Sequence, residues 1–108
     1  MIADPEKIDE LATFIQARNA PRGRIKSRQF SRANTLARAL PLVKARIDGI
    51  WGERDATAYP HLEDRARAVR NCQPAARFEV IPGAGHWVQY EAAEQFNPLL
   101  AELAGPVQ

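Results

Sequence analysis

Two short apolar runs, Ala45 to Trp51 and Arg77 to Ile81, enclose a stretch with helical periodicity, and each run ends in glycine-bearing turn chemistry. The first stops at Gly52, the second at Pro82-Gly83-Ala84-Gly85. Between them Leu62, Ala66 and Val69 share one face of a helix predicted over Pro60 to Cys72. Arg65, Arg67 and Arg70 lie mainly off that face, and Gln73-Pro74 closes the helix. Strand, helix and strand in this order predict a right-handed crossover between two parallel strands. Parallel strands need cover on both faces and neighbours at both edges, so two of them make a poor independent sheet. The chain is therefore expected to be a piece of something larger.

The flanks read as helices. Asp4-Pro5 is a cap followed by a first-turn proline, and Ile8, Leu11, Ala12 and Ile15 recur at helical spacing, which predicts a helix over residues 5–18. Pro21 and Gly23 break it. Ser31 is placed to cap a second helix carrying Leu36, Ala37 and Leu40, which ends near Pro41. Phe96, Leu99, Leu100 and Leu103 fall together on a last helix over 92–104, where Pro98 predicts a late start or a kink.

A chain of 108 residues allows one domain at most. With 45% hydrophobic and 26% charged residues it has the composition of a soluble globular protein. No apolar run approaches the ~20 residues of a membrane span, and the acidic start, Met1 to Glu10, lacks the apolar segment of a secretory signal. Cys72 is the single cysteine, which rules out an internal disulfide and a cysteine-rich zinc site, so a cytoplasmic protein is the expectation. Charge is unevenly spread. Leu11 to Ile47 holds nine basic residues (Arg18, Arg22, Arg24, Lys26, Arg28, Arg32, Arg38, Lys44 and Arg46) and no acid. Such a block can bind phosphate or nucleic acid, or be a solvated helical face or a surface that pairs with acidic protein. Phe30 alone interleaves with the bases, so base stacking has little to use and nucleic acid is the less expected partner.

Chemistry is expected in the two loops that follow the strands, because catalytic groups of α/β proteins gather beyond the carboxyl ends of their strands. The first is Gly52-Glu53-Arg54-Asp55, the second Gly83-Ala84-Gly85-His86-Trp87. Asp55 and His86 are 31 residues apart, about one strand–helix–strand unit, which puts both loops on one rim. There a carboxylate can hold one imidazole tautomer and stabilise the imidazolium formed when the base takes a proton. The plain alternatives are an Asp55 that caps its own loop through Thr57 and a His86 with no role. Glycines beside His86 would let the backbone turn sharply and leave the ring at the surface.

The stretches I-W-G-E-R-D (Ile50 to Asp55), I-P-G-A-G-H-W-V-Q-Y-E (Ile81 to Glu91) and F-N (Phe96-Asn97) resemble the C-terminal part of the α/β-hydrolase superfamily. The branch they look most like holds small-molecule esterases and the carbon–carbon bond hydrolases of aromatic ring-cleavage pathways. The resemblance is strong over residues 41–104; residues 1–40 look like the branch's cap-region helices and link back to the core. It implies a partial α/β-hydrolase fold, the last two parallel strands with flanking helices, preceded by cap-like helices. Asp55 matches the acid of a Ser–Asp–His triad and His86 its general base, in the chain order of that fold. Trp87 would line the substrate site or simply pack, and Glu91 would cap the last helix.

One departure outweighs the matches. G-x-S-x-G, the nucleophile elbow, is absent, as is the oxyanion loop; the only serines, Ser27 and Ser31, sit in R-S-R and F-S-R contexts. Cys72, at a helix end, fits a small buried residue better than a substitute nucleophile. The expectation is a truncated hydrolase chain that carries acid and histidine, takes no cofactor or metal, and is inactive alone. Its partners would be a small-molecule substrate in the complete protein, and a missing N-terminal half or a second copy. A non-catalytic basic module or a structural half that assembles with another chain is the alternative.

Overall fold

A computed structural model describes residues 1–25 and 33–105. They form two compact units, one made of Met1–Lys7 with the chain from Arg46 onward, the other of Ile8–Ala45. Among the described residues no helix is long and apolar enough to cross a membrane.

The first helix, expected over residues 5–18, starts late. Asp4 does cap, but only a short 3-10 turn, Pro5–Lys7: its Oδ1 accepts the Glu6 N–H at 3.0 Å and its carbonyl the Lys7 N–H at 3.1 Å. The α-helix α1 runs Glu10–Asn19 behind a second cap, Asp9, whose Oδ1 accepts the Ala12 N–H at 2.8 Å. An Asp inside a helical pattern competes for backbone donors in this way and restarts the helix. A 3-10 turn, Ala20–Arg22, ends it at Pro21, as the sequence predicts. Of the apolar stripe, Ala12 is buried and Ile15 half-buried, whereas Ile8 and Leu11 are exposed. Helix α2, Thr35–Ala39, follows Asn34 in the left-handed region (φ 48) with no side-chain cap bond. The cap expected at Ser31 lies outside the described residues.

The unit that holds the chain from Arg46 onward has the expected α/β order. Strand β1 (Gly49–Gly52) leads to helix α3 (Leu62–Cys72) and to strand β2 (Phe78–Ile81), which pairs with β1 in parallel, Gly49 opposite Phe78 and Gly52 opposite Ile81. Both strands are shorter than the apolar runs. Ile47 instead gives its N–H to the Gln73 side chain at 3.0 Å, and Asp48 accepts the Arg77 N–H at 2.9 Å, so side chains close the strand starts where the ladder has not begun. Stacked rings of Trp51 and Phe78, centroids 5.0 Å apart, bridge the two strands.

One helix escaped the sequence reading. Val88–Glu91 forms a single turn, α4, and Ala93–Ala104 forms α5. Pro98 lies inside α5, which starts five residues earlier, so the late start expected there does not occur. Ile81, Ala84, Val88 and Ala92 make the core, with Ile50, Phe96 and Leu99 packed against it. Ala84, in the loop after β2, is itself part of that core.

Candidate active site

Because β1 and β2 run parallel, the loops that leave them emerge at the same end of the sheet. Backbone bonds then lace the loops together. Glu53 N–H donates to Ile81 O at 3.0 Å and Arg54 N–H to Ala84 O at 2.8 Å; Gly83 N–H donates to the Glu53 side chain at 2.8 Å. The approach is so close at the end of β1 that a Cβ on Gly52 would overlap the carbonyl oxygens of Ala84 and Gly85. Gly83 takes a positive φ of 74, the turn chemistry that ends β2. Gly85 is needed for a different reason: a Cβ there would sit 2.6 Å from Met1 O and 2.7 Å from Ala3 N.

Asp55, 2% exposed, divides its carboxylate. Oδ1 accepts the N–H and the hydroxyl of Thr57, each at 2.8 Å, and Oδ2 lies 2.9 Å from His86 Nδ1. The loop-capping reading and the histidine-pairing reading of Asp55 are thus both realised, one on each oxygen. The backbone supports the same turn, with Ala58 and Tyr59 N–H groups donating to Asp55 O at 2.9 and 2.8 Å. Burial pushes the Asp55 carboxyl up, but the bonds from His86 and Thr57 and the imidazole charge outweigh it and hold the group below the ordinary Asp value.

The same contacts choose the tautomer of His86. Thr57 Oγ1 commits its proton to Asp55 and lies 3.2 Å from Nδ1, so both oxygens facing Nδ1 are acceptors. Nδ1 therefore carries the proton, and in the neutral ring Nε2 keeps a lone pair. Among the described residues no hydrogen bond reaches Nε2, and the His86 side chain is 40% exposed, so that lone pair is open to an incoming group. An exposed imidazole of this kind can accept a proton at Nε2, and the buried carboxylate behind it steadies the cation that results.

Trp87 is placed beside this pair but does not join it. Its ring meets Tyr90 edge-on at 6.1 Å, and its carbonyl accepts the N–H groups of Tyr90 and Glu91, each at 2.9 Å, which starts α4. Cys72 ends α3 partly buried rather than fully so. Tyr59 is exposed, and Phe14 is exposed beneath the Arg18 guanidinium at 5.9 Å. Ser27, Ser31 and Phe30 lie outside the described residues. Among the described residues no group of three His, Cys, Asp or Glu could hold a metal ion.

Glu91 corrects the sequence reading. It does not cap the last helix, whose first turn has no side-chain cap bond. Its buried carboxylate accepts the N–H groups of Ala3, Asp4 and Gly85 instead. Burial raises its carboxyl, and those three donors with the nearby Lys7 charge more than offset this, leaving it below the ordinary Glu value. Thr57 was named by the sequence only as a capped neighbour; an S/T two residues after a motif Asp was the signal available for its hydroxyl contact. For the Glu91 contacts no local signal existed.

Over 63 residues, 58% of its length, this chain is 38% identical to 2-hydroxy-6-oxononadienedioate/2-hydroxy-6-oxononatrienedioate hydrolase of Paraburkholderia phymatum. The matched stretch is 21% of that protein, so the chain spans about a fifth of the relative's length. No protein-family model matches, and no solved structure matches significantly. The chain has a partial α/β fold and is similar to a hydrolase.

Proposed function

We propose that Asp55 and His86 are the acid and the general base of a Ser–Asp–His triad in a hydrolase of a small ester or of a carbon–carbon bond in a carbonyl compound. The observation that carries this reading is the 2.9 Å contact between the buried Asp55 Oδ2 and His86 Nδ1, with Nε2 left open. In the proposed reaction Nε2 takes the proton of the attacking hydroxyl, Asp55 steadies the imidazolium through Nδ1–H, and Nε2–H then protonates the leaving group. Trp87 gives that side of the site an apolar wall. No cofactor enters the scheme.

The 108 residues contain no G-x-S-x-G, so the attacking oxygen and the oxyanion donors come from protein outside them. Removing the nucleophile of such a triad costs on the order of 10⁶ in rate, so this chain by itself is expected to be inactive. A serine-reactive phosphonate should leave it unlabelled; labelling at Ser27 or Ser31 would contradict the scheme. The direct test is a chimera in which residues 41–104 replace the corresponding stretch of the Paraburkholderia phymatum hydrolase. Turnover of that enzyme's substrate is expected to survive the exchange and to fall roughly 10³-fold or more on His86→Ala. Equal turnover with and without the His86 imidazole sinks the proposal.

A second reading, a structural half that pairs with another chain or with itself, is favoured by one observation. Val80 on β2 is 42% exposed in a sheet that has two strands among the described residues. Unpaired parallel edges of this kind invite association.

A further inference from the structure

Asp55 and Glu91 are the two buried charged side chains among the described residues, and only Asp55 touches His86. The surroundings of Glu91 show what the other carboxylate holds. Its Oε1 accepts the Ala3 N–H at 3.0 Å and the Asp4 N–H at 2.8 Å; its Oε2 accepts Ala3 N–H at 3.0 Å and Gly85 N–H at 2.7 Å. Lys7 Nζ donates to the Glu91 carbonyl at 2.6 Å, and Trp87 N–H donates to Met1 O at 3.1 Å. The peptide N–H groups on either side of His86 are therefore both occupied, Gly85 by Glu91 and Trp87 by Met1. The absence of a side chain on Gly85 lets Met1 and Ala3 lie directly against it.

We propose that Glu91 is a positioning residue for His86, acting through the Met1–Asp4 segment. Its carboxylate gathers that segment and Gly85 into one knot, and the segment reaches back to hold Trp87. The imidazole then stands on a backbone tied before and after it, which keeps Nδ1 at bonding distance from Asp55. A carboxylate suits the place because every group that faces its two oxygens is an N–H donor; an amide would turn its own N–H toward one of them. This inference rests on the reading of His86 as the base only for its functional meaning.

The test begins with the unaltered 108-residue chain. In native-state hydrogen exchange the amides of Ala3, Asp4, Gly85 and Trp87 should share one opening equilibrium, agreeing within about threefold. A wider spread, with the segment opening while Gly85 and Trp87 stay protected, overturns the proposal. Glu91→Gln should then speed exchange at Gly85 and Trp87 by about tenfold or more and shift or broaden the resonance of the His86 Nδ1 proton. Leu99→Ala, a core change that removes none of the Glu91 bonds, should leave that proton resonance in place. An unchanged resonance in Glu91→Gln contradicts the proposal. Should that variant not fold, the exchange pattern of the unaltered chain decides. None of these readouts involves hydrolysis, so failure of the triad reading and failure of the knot are separate results.

Discussion

At Asp55 each oxygen has its own clientele, and the sequence offered the two uses as competitors. The pairing with His86 was legible because an acid and a histidine each followed a predicted strand, and parallel strands bring such loops together. The hydroxyl of Thr57 was legible only as one local possibility, since a threonine two residues after a loop Asp has several uses. Thr57→Val removes one donor from Oδ1 while the backbone N–H stays. It is expected to lower stability by about 1 kcal/mol in urea unfolding, with Thr57→Ser restoring most of it. Asp55→Asn keeps the shape and loses the acceptor that fixes Nδ1–H. In a nucleophile-bearing chimera it should cost on the order of 10⁴ in kcat, the effect of a wrong tautomer; turnover within tenfold of the parent would speak against the assigned roles.

Elements show a different balance. The strand–helix–strand core was legible from periodicity and glycine punctuation, because β1, α3 and β2 bury short apolar stretches with local turn signals at their ends. Element ends were less so. Gln73 and Asp48, which close the strand starts, act through side-chain bonds across 26 and 29 residues. The one-turn helix Val88–Glu91 carries too few residues for a periodic pattern, and Glu91 bonds to N–H groups 87 and 88 residues away, which every residue type except proline possesses. Packing at this scale gives a direct prediction. Ile81 is 1% exposed at the centre of the core, so Ile81→Ala is expected to destabilise by roughly 2–5 kcal/mol in chemical denaturation.

For the molecule as a whole, acid is the informative stress. Asp55 and Glu91 are both held below their ordinary carboxyl values in the folded state. Such groups add stability that is complete above the unfolded-state values, around pH 4, and that is lost as pH falls through the lower folded values. The melting temperature should therefore be flat near neutrality and fall below about pH 4. Glu91→Gln should lower the plateau and flatten the fall; a parallel profile would contradict the assigned bonds. The most direct measurement of the central contact is long-range ¹⁵N–¹H NMR of the His86 ring at pH 8.5 in the 108-residue chain. The account predicts a proton on Nδ1, a bare Nε2, and loss of that preference in Asp55→Ala. A ring protonated on Nε2, or a tautomer indifferent to Asp55, would contradict it.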